Sequence, residues 1–167
     1  MGVDVVPLKR VSMEEVRSGW WVGREGEGEE CRWVVHACKN PCHRDVLGYV
    51  GSLDSGHEHY LSYRRGCSLY LNMIDPKVPL FQVSMFQEFL RFADECWPGG
   101  EGLLIHCNQG LSRSPSLALL FMVRLGELSN KSYDAARSEF EVLYPRYSPG
   151  RGIEIFLSSH WGELSLL

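Results

Sequence analysis

"LLIHCNQGLSRSPSLALLFMVRLG", running from Leu103 to Gly126, decides the architecture of this 167-residue chain. An apolar run at Leu103–His106 is followed by the polar and small stretch "HCNQGLSRS", and then by a second apolar run that ends at Gly126. The first run has the length of a short buried strand. The second is apolar on nearly all sides, which predicts a central helix over Ser112–Leu125 stopped by Gly126. A strand that turns at once into a buried helix is half of a strand–helix–strand unit, so parallel pairing is expected around it. Ligands of such sheets bind at the C-terminal ends of the strands. Cys107 stands at that point.

Working outward, "SMEE" at 12–15 has the form of a capping box and predicts a short helix. "WWVG" and "CRWVVHA" are aromatic and β-branched and read as strands, separated by the acidic loop "GREGEGEE" at 23–30. Residues 39–66 are mixed and polar, with "GSLDSGHEHY" as a loop. "CSLYLNMI" (67–74) is a further strand, ended by Asp75-Pro76. Ser84 and Gln87 form a second capping box and open a helix to about Cys96, stopped by "PGG". The aromatic residues of "MFQEFLRF" recur at helical spacing and belong to the core. Ser132 caps a helix to about Tyr144, and Ser148-Pro149 opens the last one. The order predicts one α/β domain over 1–167, with a central, mostly parallel sheet flanked by helices.

Composition narrows the function. The chain is 44% apolar and 23% charged, with a net charge of −4 and pI near 5.9. That argues against nucleic acid and anionic membranes as partners, since both need a basic face. No run approaches the ~18 apolar residues of a membrane span. "MGVDVVPLKR" lacks the order of a signal peptide, and Val6 stands where a myristoylation signal wants Ser or Thr. A cytoplasmic location is expected, with the six cysteines reduced and mostly buried.

"HCNQGLSRS" carries more chemistry than a turn requires. A loop between a strand end and a helix start presents backbone N–H groups and the helix dipole to an anion. Gly110 allows the angles that aim successive N–H groups inward. Arg113, in the first helical turn, can add a planar fork of donors matched to two phosphate oxygens. Cys107 begins the same loop, and these positive groups favour its thiolate. A thiolate beneath a bound phosphate is a nucleophile aimed at phosphorus. The leaving oxygen then needs a general acid from the opposite side. Asp75, on a proline-bearing loop over 75–83, is the candidate, with Asp54 as the alternative. Ser114 can donate a hydrogen bond to the departing thiolate. The scheme calls for no metal and no cofactor.

"HCNQGLSRS" resembles the His-Cys-x5-Arg-Ser/Thr signature of the cysteine-dependent protein tyrosine phosphatase superfamily, and the chain resembles its compact dual-specificity branch. "WWVG" resembles that family's opening strand, "LYLNMID" its strand and general-acid loop, and "SYDAARSEFEVLYPRYSPGRGIEIFLSSHW" its closing helices. "HACKNPCHR" is similar to bacterial and phage members. The resemblance implies Cys107 as nucleophile, Arg113 as phosphate clamp, Asp75 as acid and base, and Ser114 as the hydroxyl that releases the thiolate. It implies phosphate-binding amides from Asn108, Gln109, Gly110, Leu111 and Ser112, and a His106 that tunes the thiolate through the backbone. The implied substrate is a phosphorylated protein or peptide, carrying phosphotyrosine and also phosphoserine or phosphothreonine. A phosphoinositide, RNA 5′ end or sugar phosphate is the alternative, as is a non-catalytic phosphate-binding module or rhodanese-like sulfur chemistry. The loop interior "NQGLS" has no lysine, which disfavours the polyanionic substrates.

"HACKNPCH" also places His36, Cys38, Cys42 and His43 within eight residues. All four on one strand-loop segment would crowd a tetrahedral zinc site, whose ligands usually come as two separated pairs. No metal is therefore expected there. Lys39, His43 or Arg44 are candidates to line the cleft, and Cys38 or Cys42 to resolve an oxidised Cys107. Arg64, Arg65, Arg146 and Arg151 are expected as surface residues or helix-end partners, with "RYSPGRG" as a candidate for the cleft rim.

Overall fold

A computed structural model describes residues 13–17, 20–24, 31–96 and 99–167. Six strands form one sheet: β1 (Glu14–Arg17), β2 (Trp20–Arg24), β3 (Trp33–His36), β4 (Ser62–Arg65), β5 (Ser68–Leu71) and β6 (Leu103–Cys107). Their order across the sheet is β1-β2-β6-β3-β5-β4. The central strand β6 pairs in parallel with β2 on one side and β3 on the other, and β3 pairs in parallel with β5. The edges are antiparallel: β1 on β2, and β4 on β5. All five residues of β6 are buried, as a strand covered on both faces requires.

The helices are α1 (Arg44–Leu47), α2 (Val83–Cys96), α3 (Arg113–Arg124), α4 (Tyr133–Leu143), α5 (Arg151–Ser159) and α6 (Trp161–Leu164). The central helix is α3, buried continuously from Ser114 to Val123 and packed against β6, β2, α2 and α4. Its Phe121 stacks on Trp20 of β2 with ring centroids 4.4 Å apart, and Phe89 of α2 meets the same ring edge-on at 6.2 Å. Phe86 of α2 stacks on Phe156 of α5. Leu103, Ile105, Cys107, Val35, Leu69 and Leu71 join this helix-side core. Side chains alternate along strands, so His36, Tyr70 and His106 share the other face, with the His36 ring stacked on Tyr70 and edge-on to His106.

Several expectations need correction. "SMEE" does not open a helix: Glu14 and Glu15 lie in β1, opposite Val22 and Trp21. Pairing with an otherwise open sheet edge outweighs a local capping signal, and Ser12 itself lies outside the described residues. Helix α2 begins at Val83, so Ser84 is inside its first turn rather than capping it. The strand expected over 67–74 extends only over Ser68–Leu71. The short elements β4 and α1 fall inside the stretch read as mixed and polar. Most of the acidic loop at 23–30, and Pro98 of "PGG", lie outside the described residues. Ser132 does cap α4, its Oγ accepting from the Ala135 N–H at 3.1 Å. Among the described residues, no helix is long and apolar enough to cross a membrane.

Candidate active site

Strand β6 ends at Cys107 and α3 begins at Arg113, so the polar stretch is a short loop clamped between two buried elements. Gly110 has φ +71°, and a Cβ there would lie 2.9 Å from the carbonyl oxygen of Gly23 in β2. Both facts require glycine. The loop carbonyls are tied outward. Tyr144 donates its hydroxyl to the Gly110 carbonyl at 2.7 Å, and the Ser148 N–H donates to the Leu111 carbonyl at 2.8 Å. Across each trans peptide plane the next N–H points the opposite way. The Leu111 and Ser112 amides are thereby turned away from those anchors.

Cys107 is 2% exposed, and the fully buried Ser114 donates its hydroxyl to Cys107 Sγ at 3.2 Å, with the Gly23 carbonyl at 3.3 Å. Arg113 reaches back over the loop. Its Nη1 donates to the Met73 carbonyl at 3.0 Å and its Nη2 to Asn108 Oδ1 at 2.6 Å. Its Nε is buried and has no acceptor in the protein, so that donor remains uncommitted. Asn108 in turn donates to the Asn40 carbonyl at 2.8 Å, linking the loop to the 38–43 turn. The Met73 carbonyl also accepts from the Lys39 N–H at 2.8 Å.

Asp75 follows two residues after Met73 and is exposed. Its carboxylate packs on the backbone of Gly150, where a Cβ would come within 2.2 Å of Oδ1. Gly150 donates its N–H to Ser112 Oγ at 2.8 Å, and the Gly152 N–H donates to the Pro76 carbonyl at 3.1 Å. Residues 148–152 are thus a strap that hydrogen-bonds to the Cys107–Arg113 loop on one side and to the Asp75 loop on the other. The strap brings Asp75 to the Cys107 loop. Asp54 Oδ1 instead accepts from the Gly56 N–H in its own turn.

Behind Cys107, His106 Nε2 and His36 Nδ1 are 2.6 Å apart. Burial pushes both imidazoles down to about 4; the charge of His106 adds to the effect on His36, and the Cys107 backbone opposes it weakly at His106. Cys38 is hydrogen-bonded to Cys42, and that bond together with burial pushes the Cys38 thiol up. All six cysteines are free thiols.

The other cleft candidates separate. Lys39 lines a groove of about 490 Å³ beside the site, with Tyr60, Ile74 and Leu80 among its walls. His43 is not in the cleft: it is fully buried, bonded to Tyr49 Oη and to the His59 carbonyl. Arg44 is paired with Asp45, Arg64 with Glu95, and Arg146 with Glu14. Arg151 is exposed at the start of α5, within the strap.

The same fold recurs in solved structures. Human DUSP28 superposes with a TM-score of 0.64 over 91% of this chain and 94% of its own, at 16% identity. This chain has the dual-specificity phosphatase fold. A leucine-rich-repeat and phosphatase-domain protein of Entamoeba histolytica matches with a TM-score of 0.66 over 93% of this chain and 94% of that one, at 13% identity. PTPMT1 in complex with PI(5)P matches at 0.64 over 92% and 97%, also at 13% identity. Among curated sequences, a rhodanese domain-containing dual specificity protein phosphatase of Dictyostelium discoideum is 29% identical over 80 residues. That match spans 47% of this chain and 15% of the Dictyostelium protein. No family model matches.

Within this phosphatase fold, some site features carried no sequence signal. The Met73 carbonyl, the Tyr144 hydroxyl and the Ser148 amide are ordinary groups that act only because the chain returns to the loop. Asn108 was expected to offer an amide, and its side chain adds a clamp on Arg113. Ser112 was expected to do the same, and its hydroxyl anchors the strap.

Proposed function

We propose that this chain hydrolyses phosphomonoesters of proteins through a phosphocysteine at Cys107. The observation that carries the reading is the convergence on one loop of a buried Cys107 Sγ bonded by Ser114 and an Arg113 Nε with no acceptor. A structural turn would leave neither a nucleophile nor a spare buried donor, because an unpaired buried N–H costs about 1–3 kcal/mol.

Phosphate enters with its oxygens on the loop amides and on Arg113. The Cys107 thiolate attacks phosphorus, forming a P–S bond as the P–O bond to the leaving group breaks. Asp75 gives its proton to the departing oxygen. Water then attacks phosphorus from the side the leaving group vacated, and Asp75 takes its proton. The P–S bond breaks, and Ser114 donates its hydrogen bond to the released thiolate. Arg113 and the loop amides stabilise the phosphoryl charge throughout. The loop residues between Cys107 and Arg113 bear no cationic side chain, which favours a single phosphate on a protein over a polyanionic headgroup. The groove lined by Lys39 and Leu80 offers the apolar and singly basic wall that a peptide flanking the phosphoresidue would use.

The test is hydrolysis of an aryl phosphate in the presence of a chelator. Wild type is expected to turn over, Cys107→Ser to be inactive, and Asp75→Asn to be strongly impaired. Full activity in Cys107→Ser rejects the mechanism. Phosphotyrosyl and phosphoseryl peptides compared with PI(5)P then test the substrate class, and faster turnover of the lipid would overturn the protein reading.

A further inference from the structure

The structure assigns a second, non-catalytic site behind Cys107: we propose that His36, Cys42 and His106, completed by Cys38, bind a zinc-class divalent cation. The donor atoms of His36, Cys42 and His106 all lie within 4.8 Å of one another. The two imidazole nitrogens that face each other are His36 Nδ1 and His106 Nε2, at 2.6 Å. The fourth donor is the Cys38 thiol, hydrogen-bonded to Cys42.

The geometry removes the objection that applies to the sequence. Four ligands on the "HACKNPCH" segment would crowd one another. The fold withdraws His43, whose two ring nitrogens are used by Tyr49 and the His59 carbonyl. It supplies His106 instead, from the neighbouring parallel strand, where His36 and His106 are register partners. The ligands then come from β3, from the 38–43 turn and from β6, three directions rather than one. Two nitrogens and two thiolates are the donor set of tetrahedral zinc.

Sizes agree as well. Zn–N of about 2.0–2.1 Å and Zn–S of about 2.3 Å require ligand atoms roughly 3.3–3.8 Å apart in a tetrahedron. The imidazoles must part by about 0.7 Å, and Cys42 Sγ, at most 4.8 Å from either nitrogen, must close to roughly 3.5 Å. Three of the donor atoms already meet, and Cys38 adjoins them through its hydrogen bond to Cys42. His36 and Cys42 are only half-buried, which gives the ion a path in. On ligation each thiol releases its proton to solvent and the imidazoles bind as neutral donors. The site lies one residue from the nucleophile, yet it uses none of Cys107, Arg113, Ser114 or Asp75.

Cobalt(II) is the probe, because a tetrahedral thiolate site gives it intense visible bands and a sulfur-to-metal charge-transfer band. Wild-type protein titrated with Co2+ is expected to show both bands at one equivalent, and Zn2+ to bleach them. Cys107→Ser should retain them, which separates this site from metal captured by the catalytic thiol and makes the result independent of the phosphatase reading. Cys42→Ala should lose the charge-transfer contribution and bind more weakly than the roughly tenfold loss that removal of an outer partner causes. His36→Gln is the second variant, expected to lose the tetrahedral bands while both thiols remain. Absence of tetrahedral bands in wild type, or bands that survive Cys42→Ala and His36→Gln but vanish in Cys107→Ser, overturns the proposal.

Discussion

Gly150→Ala should separate general-acid catalysis from everything else the site does. The new Cβ would lie 2.2 Å from Asp75 Oδ1, 2.9 Å from Cγ and 3.2 Å from Oδ2. Carbon–oxygen contacts settle near 3.3 Å at about their closest, so the carboxylate must retreat by roughly 1 Å. The backbone itself accepts alanine, since Gly150 has φ −63° and ψ 150° and keeps its N–H bond to Ser112. Asp75 is exposed and can rotate away, so stability should change by no more than about 0.5 kcal/mol. Misplacing a reacting group by ~1 Å can cost about 10²-fold, within the 10²–10⁴-fold that a general acid supplies. The assay compares phenyl phosphate, whose phenol needs a proton to leave, with an aryl phosphate whose acidic phenol leaves as the anion. Gly150→Ala should lose about 10²-fold on the first and little on the second, with Asp75→Asn as the floor. Equal losses on both substrates, or no loss on phenyl phosphate while Asp75→Asn is severe, would refute the reasoning. Gly152→Ala is the contrast. There the Cβ meets the Pro76 carbonyl oxygen at 2.2 Å and that of Val78 at 2.4 Å. Backbone cannot rotate aside, so stability and activity should fall together.

Other expectations follow from single contacts. Ser114→Ala removes the 3.2 Å bond to Cys107 Sγ; a hydrogen bond to a charged group contributes about 1.5–3 kcal/mol, so breakdown of the phosphocysteine should slow roughly 10–100-fold. Stopped-flow measurement should show a burst, and a linear time course at unchanged rate would contradict the assignment. Phe121→Ala empties a fully buried ring stacked on Trp20, and denaturant titration should register a loss of about 3–5 kcal/mol. The hydrogen bonds and charge of Arg64 hold the exposed Glu95 below its ordinary 4.5. A depressed acid stabilises the fold above its unfolded value, and the contribution disappears as pH falls through the folded value. Carboxyl NMR titration of Arg64→Gln should therefore move Glu95 upward, and an unchanged midpoint would argue against the pairing.

The sequence by itself determined the centre of this protein. Leu103–His106 and the apolar helix to Leu125 are local signals, and period and composition suffice to place a strand, a glycine turn and a buried helix. Cys107, Arg113 and Ser114 sit within eight residues, so their convergence needs only that turn. Asp75 stands out as a candidate because a strand ends beside it. What tertiary structure decided is everything brought in from far along the chain. Edge pairing made a strand of Glu14–Arg17 against its capping signal. The strap at 148–152 ties the Asp75 loop to the Cys107 loop through close backbone approaches that need glycine at 150 and 152. His106 replaced His43 beside His36 because parallel register, not spacing, sets which side chains face each other across strands. Local order follows from nearest neighbours in the chain, whereas these partnerships follow from chain return, which no short window of residues encodes.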